Sequence, residues 1–244
     1  MHKTPQMYLS KTLAALKRII IAPTCPVCGK SLQTSESFIC SGCALAAPYT
    51  KLWYNSQNAM QQRFLSLAPI EHAAALLWFS ENSPWRKLIH QFKYHSQWFL
   101  AENMGCWLAS ELMSSNFFDG IDTIIPVPLY WQRRLIRGYN QTEHIAAGIS
   151  RIASIPYNFK AVKRVINTPS QAQQGFFERW RDMDNIFAVT HPEQLIGRHL
   201  LLVDDVFTSG ATITSLAQAI IKACNGNVKL SVATIAASSH LTDK

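Results

Sequence analysis

The chain has 244 residues, with 23 lysines and arginines against 15 acids, a formal charge of +8. That length suits one mid-sized domain plus a small module, and no apolar run approaches the ~20 residues of a membrane-spanning helix. The excess positive charge favours acidic partners: phosphate ligands, nucleic acid or both. At the start of the chain, residues 12–21 are apolar in places, but Lys17 and Arg18 interrupt them. This pattern predicts a short amphipathic helix rather than a signal peptide, which makes the cytoplasm the expected compartment.

Four of the six cysteines follow, as Cys25-x2-Cys28 and Cys40-x2-Cys43 with eleven residues between the pairs. Two such pairs are the spacing of a structural zinc ribbon or knuckle, and Pro26, Gly29 and Gly42 supply the tight turns. Four thiolates leave no open position for a catalytic water, so a Zn²⁺ held here is structural. Disulfides are disfavoured in a reducing compartment. Cys106 and Cys224 fall on helical patterns and read as small core residues. Residues 1–50 therefore form an N-terminal helix and zinc module. The stretch after it is Gln- and Asn-rich with little periodicity, and residues 51–69 are expected to be a linker to a domain over 70–244.

From residue 70 the pattern alternates. Strands are predicted at 73–79, 121–127, 200–206 and 229–236, and helices at 85–94, 97–114, 142–153 and 212–225. Strands alternating with helices predict an α/β fold, a mostly parallel sheet with helices on both faces. Ligands of such sheets gather at the carboxyl ends of the strands. In the first helix, Leu88, Ile89 and Phe92 form a buried stripe, leaving Lys93, Tyr94 and His95 to face a cleft or solvent. After the strand at 121–127 comes PVPLYWQRRLIRGYNQ, residues 126–141. Its Arg133, Arg134, Arg137 and Gly138, read as a basic loop, suit a diphosphate, which packs several charges into a small volume. Residues 171–181, QAQQGFFERWR, admit three readings: a mobile lid that excludes water, an aromatic and basic surface for single-stranded nucleic acid, or an amphipathic helix that buries its rings.

The most informative segment is LLLVDDVFTSGAT, residues 200–212. A buried apolar strand ends in Asp204 and Asp205, a small-residue loop of Thr208, Ser209, Gly210, Ala211 and Thr212 follows, and a helix begins. The loop amides and the helix N-terminus favour an anion, Gly210 permits close backbone approach, and the hydroxyls add donors. The acid pair sits where a sugar diol would donate hydrogen bonds. There is no Gly-Lys-Ser/Thr of a P-loop.

This segment resembles the 5-phosphoribosyl 1-diphosphate (PRPP) motif of the type I phosphoribosyltransferases. The resemblance implies that Asp204 and Asp205 contact the ribose 2′- and 3′-hydroxyls and that residues 208–212 wrap the 5′-phosphate. Taken with FKY at 92–94, PVPLYWQRRLIRGYNQ and the double-CxxC module, the chain from Cys25 to about Ala236 is similar to the ComF family. That implies a zinc ribbon joined to a type I phosphoribosyltransferase-like domain and assigns Lys93 to a phosphate contact. It also implies Mg²⁺ carried on PRPP and a role in DNA uptake or in the use of DNA as a nutrient. The family's middle signature maps to Arg164, Thr168, Gln171, Arg179 and Phe187, with Asp182 near the place of its Asn. Three functions are compatible with these residues. One is a phosphoribosyltransferase, although no general base stands out. Another is a non-enzymatic single-stranded-DNA-binding factor with a PRPP-sensing or vestigial site, working with DNA-uptake machinery. The third is a structural adaptor. The intact acid pair argues against a vestigial site.

Overall fold

The computed structural model describes residues 23–80, 82–94, 97–167 and 186–241. The helix expected at 12–21, His95, and the segment bearing Thr168, Gln171, Arg179 and Asp182 lie outside the described residues. The chain divides into two compact units, Met1–Ala47 and Pro48–Lys244.

The described part of the first unit is a pair of cysteine knuckles and one short helix, α1 (Ser41–Leu45). The Cys40 side chain caps α1 by accepting a bond from the Cys43 N–H at 3.4 Å.

The second unit is the expected α/β layer. Its sheet holds four parallel strands in the order β1 (Ala73–Phe79), β6 (Lys229–Ser238), β5 (His199–Phe207) and β2 (Thr123–Pro126). A parallel strand covered on both faces must be apolar throughout rather than alternating. The run Ala73–Leu77 and residues 199–203 of β5 are accordingly buried without interruption. Between β1 and β2 run α2 (Trp85–Tyr94) and α3 (Trp98–Leu112); α4 (Trp131–Arg137) and α5 (Gln141–Ala153) follow β2, and α6 (Ala211–Ala223) joins β5 to β6. β3 (Val162–Arg164) and β4 (Phe187–Val189) form a separate antiparallel pair. α3 and α5 cross at Gly105 and Gly148. A Cβ at Gly105 would stand 2.2 Å from the Ile145 carbonyl oxygen, and one at Gly148 would stand 2.1 Å from that of Glu102. Only residues without a side chain permit this crossing.

Two expectations change. The stretch 51–69 is not a linker: it lies within the second unit, where a 3₁₀ turn (Leu52–Tyr54) buries Trp53, and Met60 and Phe64 enter the main core cluster. Residues 131–137 form the helix α4 rather than a loop, closed by Gly138 at φ +82°. Cys224 is a core residue as expected, and Cys106 is half-buried.

Candidate functional site

β5 carries the acid pair to the carboxyl edge of the sheet. Phe207 ends the strand, Thr208 is exposed, and Gly210 at φ +81° turns the chain into α6. A left-handed φ disfavours any side chain, and a Cβ here would also meet the Phe207 ring at 2.9 Å. Ala211 N–H donates to Ser209 Oγ at 3.4 Å. The turn thus brings the first amides of a 13-residue helix to the edge beside the acid pair, the arrangement that attracts an anion.

The acid pair is held by groups from two other segments. Asp205, 6% exposed, meets Lys93 Nζ through Oδ1 at 2.9 Å and accepts from Gln141 Nε2 through Oδ2 at 2.8 Å. Gln141 Oε1 in turn accepts from Arg137 Nη1 at 2.6 Å. The Tyr139 hydroxyl donates to the Phe92 carbonyl, fastening the segment before α5 to α2. Asn140 caps α5, and its Nδ2 donates to the Val127 carbonyl at 3.2 Å, beside the Thr142 hydroxyl bond to the same oxygen at 2.7 Å. The start of α5 is therefore pinned to the end of β2, which places Gln141 against Asp205.

Asp204 is half-buried, and its Oδ1 accepts the Asp205 N–H at 2.8 Å. Burial, with the adjacent Asp205 charge, pushes its carboxyl up to about 7, while Lys93 and Arg164 hold it back. Arg164 lies over the Phe187 ring at 5.6 Å, and burial lowers its pKa, helped by the nearby Arg133 and opposed by Asp204. Lys93 and Arg164 are thus the cations that act most on the half-buried acid.

Of the sequence candidates, Asp204, Asp205, Lys93 and Arg137 are joined in one network, and Thr208, Ser209, Gly210, Ala211 and Thr212 form the adjoining turn. Arg134 is engaged elsewhere, with its Nη1 and Nη2 on the Glu143 carboxylate at 2.8 and 3.3 Å. Gly138 serves as the cap of α4. Gln141 and Tyr139 were not selected from the sequence, although both stand in the quoted motif. An amide at the first turn of a helix after a strand end was the available signal.

In the first unit, Cys25, Cys28, Cys40 and Cys43 place their sulfur atoms within 4.8 Å of one another, close enough to hold one metal ion. Cys28 Sγ and Cys40 Sγ are 3.6 Å apart. Burial acts to raise the Cys25 thiol, but backbone hydrogen bonds at Cys40, Cys28 and Val27 together bring it down to about 7. Cys43 moves up, through burial and the neighbouring thiols. Four sulfurs this close cannot all ionise without a compensating cation.

Fold and site together define an α/β protein with an acid pair and a glycine turn into a helix at the carboxyl edge of a parallel sheet, preceded in sequence by a four-cysteine centre. No family model matches the chain. It is 30% identical over 204 residues to the DNA utilization protein YhgH of Shigella flexneri, covering 81% of this chain and 84% of that protein. It is 28% identical over 211 residues to competence protein F of Haemophilus influenzae, covering 80% and 89%. The chain belongs to this family of DNA-utilization and competence proteins, the ComF family. Solved structures resembling it include the Bacillus subtilis glutamine PRPP amidotransferase, at 16% identity and a TM-score of 0.41, covering 60% of this chain and 30% of that one. An adenine phosphoribosyltransferase matches at 11% identity and a TM-score of 0.36, covering 75% and 92%. No helix among the described residues is long and apolar enough to cross a membrane.

Proposed function

We propose that this chain binds PRPP, or a related phosphoribosyl ligand, at the turn between β5 and α6, and acts in the use of imported DNA. The observation that carries this reading is the convergence of Lys93 and Gln141 on Asp205 beside the anion turn. In this reading Asp204 and Asp205 accept hydrogen bonds from the ribose hydroxyls, and residues 208–212 take the 5′-phosphate. Lys93, Arg133, Arg137 and Gly138, with Arg134 once released from Glu143, meet the oxygens of the diphosphate, which would carry Mg²⁺. A pair of carboxylates would ordinarily repel so anionic a ligand. Lys93 neutralises one of them, and the raised pKa of Asp204 partly neutralises the other. If the site turns over, diphosphate leaves the anomeric carbon and a nucleophile replaces it, with charge stabilisation and positioning supplying the catalysis.

The same proposal assigns the four-cysteine centre to structural Zn²⁺. With Zn–S of about 2.3 Å, a tetrahedral site has sulfur–sulfur edges of about 3.8 Å, near the 3.6 Å between Cys28 and Cys40.

Thermal denaturation with PRPP, ribose 5-phosphate and Mg²⁺ tests the site. A ligand at about 100 times its Kd stabilises by about 2.7 kcal/mol, a rise of roughly 5–10 °C. Diphosphate release in the same samples reports turnover. An unchanged Tm at millimolar ligand would refute the assignment.

A second reading is a non-enzymatic factor for single-stranded DNA, with a PRPP-sensing or vestigial site and with uptake proteins as partners. It is favoured by Trp131, 57% exposed, on the arginine-bearing α4. Rings stack on unpaired bases, and bound phosphates release counterions, so affinity should exceed that for duplex and fall steeply with salt. Titration of labelled strands at several salt concentrations decides it, and no binding at low salt removes this reading.

A further inference from the structure

The four cysteines of the first unit are not equivalent. Cys25 is buried, at 1% exposed, Cys40 and Cys43 are half-buried, and Cys28 is exposed. Cys28 is therefore the solvent-facing member of a centre whose sulfur atoms all lie within 4.8 Å of one another. Its Sγ is 3.6 Å from Cys40 Sγ, which belongs to the other knuckle. Cys40 Sγ also accepts the Cys43 N–H at 3.4 Å, which holds it at the start of α1.

The thiolate, not the thiol, is the reactive form of cysteine, and a sulfur bound to a metal ion is deprotonated outright. Among thiolates, susceptibility to oxidation follows exposure, and a second thiolate close by converts the first oxidation product into a disulfide. Cys28 meets both conditions: it is exposed, and Cys40 is its sulfur neighbour. A disulfide bond is about 2.05 Å long, so the two sulfurs, now 3.6 Å apart, have to close by about 1.5 Å. Cys25 has a sulfur neighbourhood as rich but is sealed from solvent. Cys106 is the competing thiol of the second unit, half-buried, with Arg151 Nη2 2.8 Å from its sulfur.

We infer that Cys28 is a modification site for hydrogen peroxide, with Cys40 as the thiolate that resolves it. The Cys28 thiolate attacks one peroxide oxygen. An S–O bond forms, the O–O bond breaks, and hydroxide leaves with the sulfur as sulfenic acid. The Cys40 thiolate then attacks the Cys28 sulfur, the S–S bond forms, and the sulfenic oxygen departs as a second hydroxide. Two electrons pass from the sulfur pair to the peroxide. With Cys28 and Cys40 joined, Cys25 and Cys43 are what is left of the centre, and two thiolates no longer enclose a metal ion. The module then loses the share of its folding free energy that the metal supplies. Metal release rests on the zinc assignment made above; formation of the disulfide does not.

The test treats the full chain, purified without chelator, with hydrogen peroxide. A chromogenic zinc indicator follows metal release against an untreated sample, and alkylation with peptide mapping by mass spectrometry locates the oxidised cysteines. About one zinc per chain should be released in step with a Cys28–Cys40 cross-linked peptide, and dithiothreitol with added zinc should reverse both. Cys28→Ser should slow release at least about fivefold, whereas Cys106→Ser should leave it unchanged. Should Cys28→Ser fail to fold or to hold metal, mapping of the parent chain still decides. Protein that carries no metal yet forms the Cys28–Cys40 bond loses the zinc assignment and keeps the modification site. Zinc retained with all four thiols still open to alkylation overturns the inference. So does oxidation that maps first to Cys106, or a disulfide within one knuckle, Cys25 to Cys28 or Cys40 to Cys43.

Discussion

Replacing Asp204 by asparagine should make the protein more stable and worse at binding, and the gain should depend on pH. The Asp204 carboxyl sits at about 7 in the folded chain against 3.8 for the free group, a rise of about three units. At 1.36 kcal/mol per unit, that is about 4 kcal/mol as an upper bound, and roughly 2–4 kcal/mol once local relaxation is allowed. The sign follows from the raised pKa. Relative to the unfolded chain, the protonated acid favours the fold fully below about 4, and this advantage is lost as pH rises through about 7. The parent therefore carries the penalty at pH 8 and escapes it at pH 4. Asparagine does not titrate, and its Oδ1 can still accept the Asp205 N–H now bound at 2.8 Å. The difference in Tm between variant and parent should thus be near zero at pH 4 and grow to roughly 5–15 °C by pH 8. Carboxylates other than Asp205, whose charge acts on Asp204, titrate in both proteins and cancel in the difference. Scanning calorimetry across pH 4–8.5, with and without ribose 5-phosphate, measures both halves. A difference independent of pH, or a variant less stable at pH 8, would show that Asp204 is not held under burial and like-charge stress. Stabilisation together with undiminished ligand binding would separate that stress from function.

Lys93→Met removes the cation from Asp205, leaving a carboxylate 6% exposed with Gln141 as its remaining side-chain partner; urea unfolding at pH 8 should show a loss of about 1–3 kcal/mol. Gly210→Ala forces a side chain into φ +81° and to within 2.9 Å of the Phe207 ring. It should cost about 1–2 kcal/mol in the same assay and abolish the ribose 5-phosphate shift, whereas a retained shift would move the anion site away from this turn. Elemental analysis of protein purified without chelator should find about one zinc per chain, falling when Cys28 and Cys40 are both replaced by serine, because four thiolates make the site. Metal-free parent protein would rule out the zinc assignment.

The sheet was legible because its strands are buried on both faces, so they read as apolar runs, as residues 73–79 and 200–203 do. The four-cysteine centre was legible because its ligands lie close in sequence. The segment 51–69 was not, since its burial rests on isolated residues, Trp53, Met60 and Phe64, set on a 3₁₀ turn, a four-residue helix and the turn that follows. No period is long enough to see there, and polar neighbours such as Asn58 look solvated while in fact binding main-chain carbonyls of the core. The helix α4 was hidden for a related reason: nothing on it is buried, and Leu135 and Ile136 are 73% and 89% exposed, so no amphipathic stripe marks it.

The candidate site divides along the same line. Its local half, acid pair then small-residue turn then helix, is written in thirteen consecutive residues. Its non-local half is not, because Gln141 reaches Asp205 across 64 positions and Lys93 reaches it from a different helix. Sequence named Lys93 and Arg137 as cations for a ligand, yet in the fold each already has a partner in one chain of contacts ending on Asp205. Under the proposed function, that chain changes what an incoming diphosphate must do. It competes with Asp205 for Lys93 and with Gln141 for Arg137, so binding and rearrangement of these contacts are a single equilibrium. The carboxylate released from Lys93 is then free to take the ribose diol at the moment the diphosphate arrives. A ligand that carries both groups gains from both exchanges, and inorganic diphosphate alone strands Asp205 without its cation. On the proposed reading, the network therefore predicts selectivity for a phosphoribosyl diphosphate over free diphosphate.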